Sequence, residues 1–170
     1  MAKGFSARVP QRVRYRGRIA KILADPPSKL TDGLSTAIDA HWAKYACVLV
    51  SGYLEQSIRE IMIDFCTGKA APSIARYIDR SWPKSANMRP EFILKIMEDF
   101  SEDWHLHVTG WLDQDSGSRR STIKSIVTLR NNIAHGNESN TTGVTMVAVT
   151  EQFRVACSLV DELELLVLKT

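Results

Sequence analysis

Residues 35–66 read STAIDAHWAKYACVLVSGYLEQSIREIMIDFC, and no proline interrupts them. Ile38, Trp42, Tyr45, Leu49, Tyr53, Ser57, Ile61 and Phe65 advance by three or four residues each time, and Ala46, Val50, Leu54 and Ile58 widen the stripe. That spacing puts them on one side of a helix, and the breadth of the stripe predicts a helix facing a core. Thr67-Gly68 is a suitable stop. A helix of this length needs other helices to cover its apolar side, so the stretch points to an all-α bundle.

The flanking segments supply the covering helices. On the C-terminal side, 73–80 reads as a short helix stopped by Trp82-Pro83. Residues 89–104 read as a helix with Pro90 in the first turn and Phe92, Ile93, Ile96, Met97 and Phe100 as its stripe. Gln114 to Gly117 is a polar break. A helix over 119–135 follows, ended by Gly136 and the polar run Asn137 to Thr142. The last helix covers about 150–168, with Phe153, Ala156, Cys157, Val160, Leu163, Leu166 and Val167 inward. Val144 to Val149 is β-branched and fits a short strand, an extended connector or an early start of that helix. Four main helices plus short ones make the bundle, and strand signals are too few for a sheet. On the N-terminal side, residues 1 to about 17 read as an extended basic arm. A short helix is possible over 18–24, stopped by Pro26 and Pro27. The division expected is an arm over 1–30 and a helical domain over 31–170.

The chain's 170 residues suit one compact domain. No apolar run approaches the roughly 18 residues of a membrane span, and the N-terminus lacks the apolar region of a signal peptide. Cytoplasmic residence and no membrane contact are expected. Cys47, Cys66 and Cys157 are widely spaced and odd in number, which fits neither a disulfide framework nor a zinc site, but buried small hydrophobes. His105-Leu106-His107 alternates as a strand would, and no third ligand has suitable spacing. With no carboxylate cluster for magnesium and no Gly-rich phosphate loop, neither metal nor cofactor is expected. The net charge is +3, yet Lys3, Arg8, Arg12, Arg14, Arg16, Arg18 and Lys21 all fall within the first 22 residues, unaccompanied by acids. Such a block is either a solvated tail or a phosphate-attracting arm. In the second case Arg14 and Arg16, flanking Tyr15, would be RNA contacts.

One helix carries the chemistry. At about 100° per residue, Arg130 falls among Ile123, Ile126, Val127, Ile133 and Ala134, near the middle of the apolar face. Asn131 and His135 lie four residues apart at one edge. Lys124 is on the polar side. A guanidinium on an apolar face needs a carboxylate, an interface or an anionic ligand, or else snorkels to water. By itself His135 also fits a cation at a helix C-terminus. Arg119-Arg120 opens this helix, either solvated or touching an RNA backbone.

Arg130-Asn131-Asn132-Ile133-Ala134-His135 has the Arg-x4-His form and resembles the signature of the HEPN superfamily. The polar residue frequent after the Arg is met by Asn131. Leu49 to Glu60 in the first long helix is similar to the corresponding helix of RiboL-PSP-type HEPN domains, with Glu55 where those often carry an acid. The resemblance covers about 35–168. It implies a metal-independent endoribonuclease, usually a homodimer with two motifs facing across the interface, with Arg130 and His135 catalytic. Asn131 would support them, and Glu55 would pair with Arg130 or Arg59; a surface Glu55 paired to Arg59 fits as well. The residue types suit the reaction: imidazole exchanges protons near neutral pH, and guanidinium holds a phosphate. An RNA substrate, a toxin or defence role and an antitoxin-like partner protein follow from the resemblance. The alternatives are a non-catalytic HEPN module that binds a partner protein or nucleotide, and a helical adaptor with a chance motif.

Overall fold

A computed structural model describes residues 9–26, 35–83 and 87–169. Six helices lie among the described residues: α1 (Gln11–Ala24), α2 (Ser35–Lys69), α3 (Pro72–Ser81), α4 (Pro90–Phe100), α5 (Glu102–Ala134) and α6 (Met146–Leu168), with a 3-10 turn at Glu138–Asn140. No strand occurs among the described residues. The fold is all-α, as expected.

The predicted stripe of α2 is the centre of the molecule. Ala46, Val50, Tyr53, Leu54, Ile58, Ile61 and Met62 are fully buried. Burial of a side chain the size of Leu or Ile stabilises by about 1.5–3 kcal/mol, so this one helix contributes a large part of the core. α6 lies along it, α1 and α5 flank it, and α3 packs near its C-terminal end, while α4 packs on α5. At the crossing with α6, Tyr53 meets Phe153 edge-on with centroids 5.6 Å apart. The three cysteines are buried and free. Burial alone pushes the Cys47 thiol up to about 11, which makes it a poor nucleophile.

Three local expectations are corrected. First, the chain is helical from Gln11, so residues 11–17 are not an extended arm. Pro10 offers no side-chain cap. Instead Glu60 of α2 reaches over, accepting the N–H groups of Gln11 and Arg12 at 2.7 Å each. Arg12 is buried and bonds to Asp64 at 2.9 Å and Glu164 at 3.0 Å. These partners are remote in sequence, so local reading could not see them. Residues 1–8 lie outside the described residues.

Second, the helix expected over 89–104 is cut at Ser101. That residue is extended (φ −164°, ψ 128°) and its hydroxyl accepts the Trp104 N–H at 3.4 Å. With Glu102 and Asp103 in the following turn, Ser101 caps a new helix. Third, His105-Leu106-His107 is therefore helical, not strand-like, and its imidazoles diverge. His105 meets the Leu94 carbonyl at 3.2 Å and His107 meets Glu162 at 2.6 Å. Of the three readings open for Val144 to Val149, the early start of the last helix is the one observed: Thr145 caps α6, its hydroxyl accepting the Ala148 N–H at 3.2 Å.

The polar break at Gln114 to Gly117 is where α5 bends. Asp115, Ser116 and Gly117 all take positive φ (54°, 57° and 76°).

The Arg12 cluster generates a stability prediction. Arg12→Ala leaves Glu60, Asp64 and Glu164 facing one another, and should cost about 2 kcal/mol, less than a fully buried pair because the acids are half-exposed. The Arg12 guanidinium holds the Glu164 carboxyl below its usual range. A depressed folded pKa stabilises above the unfolded value, and that contribution disappears as pH falls through the folded one. The gap between wild type and Arg12→Ala in urea midpoint should thus be full at neutral pH and close below about pH 4.

Candidate active site

The second part of α5 carries the Arg-x4-His stretch. Ile123, Ile126 and Val127 are buried, Ile133 is half-buried and Ala134 is exposed. The apolar face thus rises to the surface over the last two turns. Arg130 is half-buried where that happens, so its stem can pack while its guanidinium stays near water. Upstream, Ser125 accepts a bond from Gln152 of α6 at 3.3 Å, which ties this part of α5 to its neighbour.

Asn131 contacts the Arg130 side chain and the His135 backbone. Its side-chain Oδ1 accepts from Arg130 Nη1 at 3.0 Å. Its backbone carbonyl accepts the His135 N–H at 3.0 Å. Arg130 makes no salt bridge with another described residue. An amide oxygen fixes the guanidinium without neutralising it, which leaves the charge for an anion.

His135 occupies the C-cap of α5 with its side chain exposed. The helix stops there by a Schellman arrangement. The Gly136 N–H donates to the Ile133 carbonyl at 3.2 Å and the Asn137 N–H to the Asn132 carbonyl at 2.9 Å. Gly136 takes φ +66°, which costs glycine little and other residues more. The cap residue that sequence reading also allowed for His135 is thus observed, and the cap presents the imidazole to solvent one turn from Asn131.

A family model, RiboL-PSP-HEPN, matches residues 15–169. The chain belongs to the RiboL-PSP-HEPN family. No curated protein and no solved structure matches the chain. The match begins inside α1.

The other residues expected at a site scatter. Glu55 is half-buried in the middle of α2 and engaged with the structure, while Arg59 bonds to Asp79 of α3 at 2.6 Å. Arg119 stacks over Trp111 with 4.5 Å to the ring centroid and approaches Asp115 at 3.5 Å. Arg120 bonds to Asp113 at 2.7 Å and holds that carboxyl below its usual range. Both arginines therefore brace the bend of α5. Arg16 is paired with Asp161 at 2.6 Å. Lys124 and Arg14 are exposed. Arg12 was not among the candidates; the absence of acid near it in sequence hid its three partners.

A site held by a glycine cap makes a direct prediction. Gly136→Ala should destabilise by about 1 kcal/mol through strain at positive φ. Its amide-exchange protection should fall in the last turn of α5 and stay unchanged in α2. Equal loss throughout would mean that the cap holds no local structure.

Proposed function

We propose that this HEPN domain is a metal-independent endoribonuclease whose site consists of Arg130 and His135, with Asn131 positioning the guanidinium. The observation that supports it is the arrangement in the last turns of α5: a cation restrained by an amide rather than a carboxylate, and an exposed imidazole at the C-cap of the same helix.

The reaction follows from these groups. An imidazole takes the proton of a ribose 2′-OH, and the 2′-oxygen attacks the adjacent phosphorus. The bond to the 5′-oxygen breaks, and that oxygen leaves with a proton from a second acid. The products are a 2′,3′-cyclic phosphate and a 5′-hydroxyl. The Arg130 guanidinium holds the equatorial oxygens as their charge grows. Base and acid act on opposite sides of the phosphorus, and each chain brings one Arg-x4-His. A symmetric homodimer would supply both imidazoles at one composite site.

An RNA-cutting enzyme of this kind needs restraint. The biological reading is a cytoplasmic toxin or defence effector held inactive by a partner protein. A folded dimer that binds RNA or a protein and never cuts would instead be a non-catalytic HEPN module.

The test is cleavage of labelled RNA by the purified chain in EDTA. Arg130→Ala and His135→Ala should each lose at least about 100-fold in rate with thermal stability retained. Cleavage that survives either change, or that vanishes with chelation, contradicts the proposal. If His135 is base in one protomer and acid in its partner, the rate should fall on both sides of neutrality. A rate climbing steadily past about pH 9 would not fit that division.

A further inference from the structure

α1 carries Arg12, Arg14, Arg16, Arg18 and Lys21 and no acid. The structure divides these cations by helical phase. Arg12 and Arg16, four residues apart, turn inward to Glu60, Asp64, Glu164 and Asp161. Arg14 and Arg18, also four apart, form no salt bridge with another described residue and are exposed. They line a groove of about 470 Å³ between α1 and α2, with Gln11, Tyr15 and Leu49. Among the described residues no carboxylate lines this groove. Glu60 and Asp64 share a neighbouring depression with Arg14, but Arg12 already engages both.

The groove has a fixed floor. The Tyr15 ring meets Tyr53 edge-on with centroids 6.3 Å apart. Its hydroxyl lies 3.2 Å from where a Cβ on Gly52 would sit, so α1 rests closely on α2 at that glycine. Arg12, paired with Glu60 and Asp64 of α2 and Glu164 of α6, holds the start of α1 in place as well. Arg14 and Arg18 therefore project from a rigid element, their backbone positions about 6 Å apart along the helix axis, on the scale of one extended nucleotide.

We infer that this groove, lined by Gln11, Arg14, Tyr15, Arg18 and Leu49, binds the phosphodiester backbone of single-stranded RNA. Guanidinium pairs on a concave cationic track with an aromatic wall suit a flexible polyanion. A flat anionic membrane would not enter a groove between two helices. The inference rests on the ribonuclease reading for the choice of RNA, but its test reads binding and not cleavage.

Full-length chain carrying His135→Ala is titrated into a fluorescein-labelled single-stranded RNA, followed by anisotropy at several salt concentrations. Arg14→Gln and Arg18→Gln should each weaken binding by about threefold to tenfold, and the double variant should reduce the salt slope by about 1.4, at about 0.7 per lost phosphate contact. Arg14→Lys with Arg18→Lys should restore most of that slope. Arg16→Gln, which loses an internal pair, should leave RNA affinity within about twofold. Both arginines are exposed, and an unchanged melting temperature confirms intact folding. A double variant with wild-type affinity and slope overturns the inference. So does binding to phosphatidylserine vesicles that depends on Arg14 and Arg18 while RNA binding does not. Cleavage by otherwise wild-type chain with unchanged KM in the double variant would remove the groove and leave the nuclease reading standing. RNA binding through Arg14 and Arg18 by a chain that never cuts would do the reverse.

Discussion

Burial of one long helix governs the molecule. α2 presents apolar side chains around much of its girth, and α1, α3, α5 and α6 are each laid against it. Its polar residues then set the details. Glu60 caps α1 and, with Asp64, pairs with Arg12, while Arg59 pins α3 through Asp79. The helix that carries Arg130 and His135 is oriented by the same surface, because Ile123, Ile126 and Val127 bury on the core side. The site is thus the place where a core-facing helix runs out of core.

That emergence explains how Arg130 can sit on an apolar stripe. Upstream positions on the same face hold isoleucine and valine. At Arg130 burial is already partial, and by Ala134 the face is open. Asn131 takes one guanidinium bond without cancelling the charge, and the glycine-closed terminus fixes the backbone at His135 one turn further on. The α5 bend is braced separately by Arg119 and Arg120. Arginines in this chain therefore divide into those that hold the fold through carboxylates and those left with charge to offer.

The long helices were legible in sequence because their apolar spacing is a local property. The helix over 35–66 and the inward face of α6 are as read, except that Ile38 and Tyr45, placed on the buried stripe, are exposed. The end of α5 was legible too, since Gly136 followed by polar residues is a local stop signal. What escaped was non-local. The N–H groups at the start of α1 are capped from α2, and Arg12 finds acids 48 to 152 residues away, so the basic block looked like a free arm. Ser101 was missed for a different reason: apolar residues continue on both sides of it, at Phe100 and Trp104, and a single capping hydroxyl competes with that pattern. At the site, the sequence offered Arg130, Asn131 and His135. It gave no means of telling Arg14 from Arg16, which differ only in which way α1 faces.

The central claim is that an imidazole and a guanidinium direct a 2′-hydroxyl onto its own phosphodiester. The most direct measurement is the chemistry of the ends produced from a single-stranded RNA. The account predicts 2′,3′-cyclic phosphate and 5′-hydroxyl termini, and a bond made uncuttable by one 2′-deoxy substitution on its 5′ side. Products ending in 3′-hydroxyl and 5′-phosphate, or cleavage at the deoxy position, would contradict it.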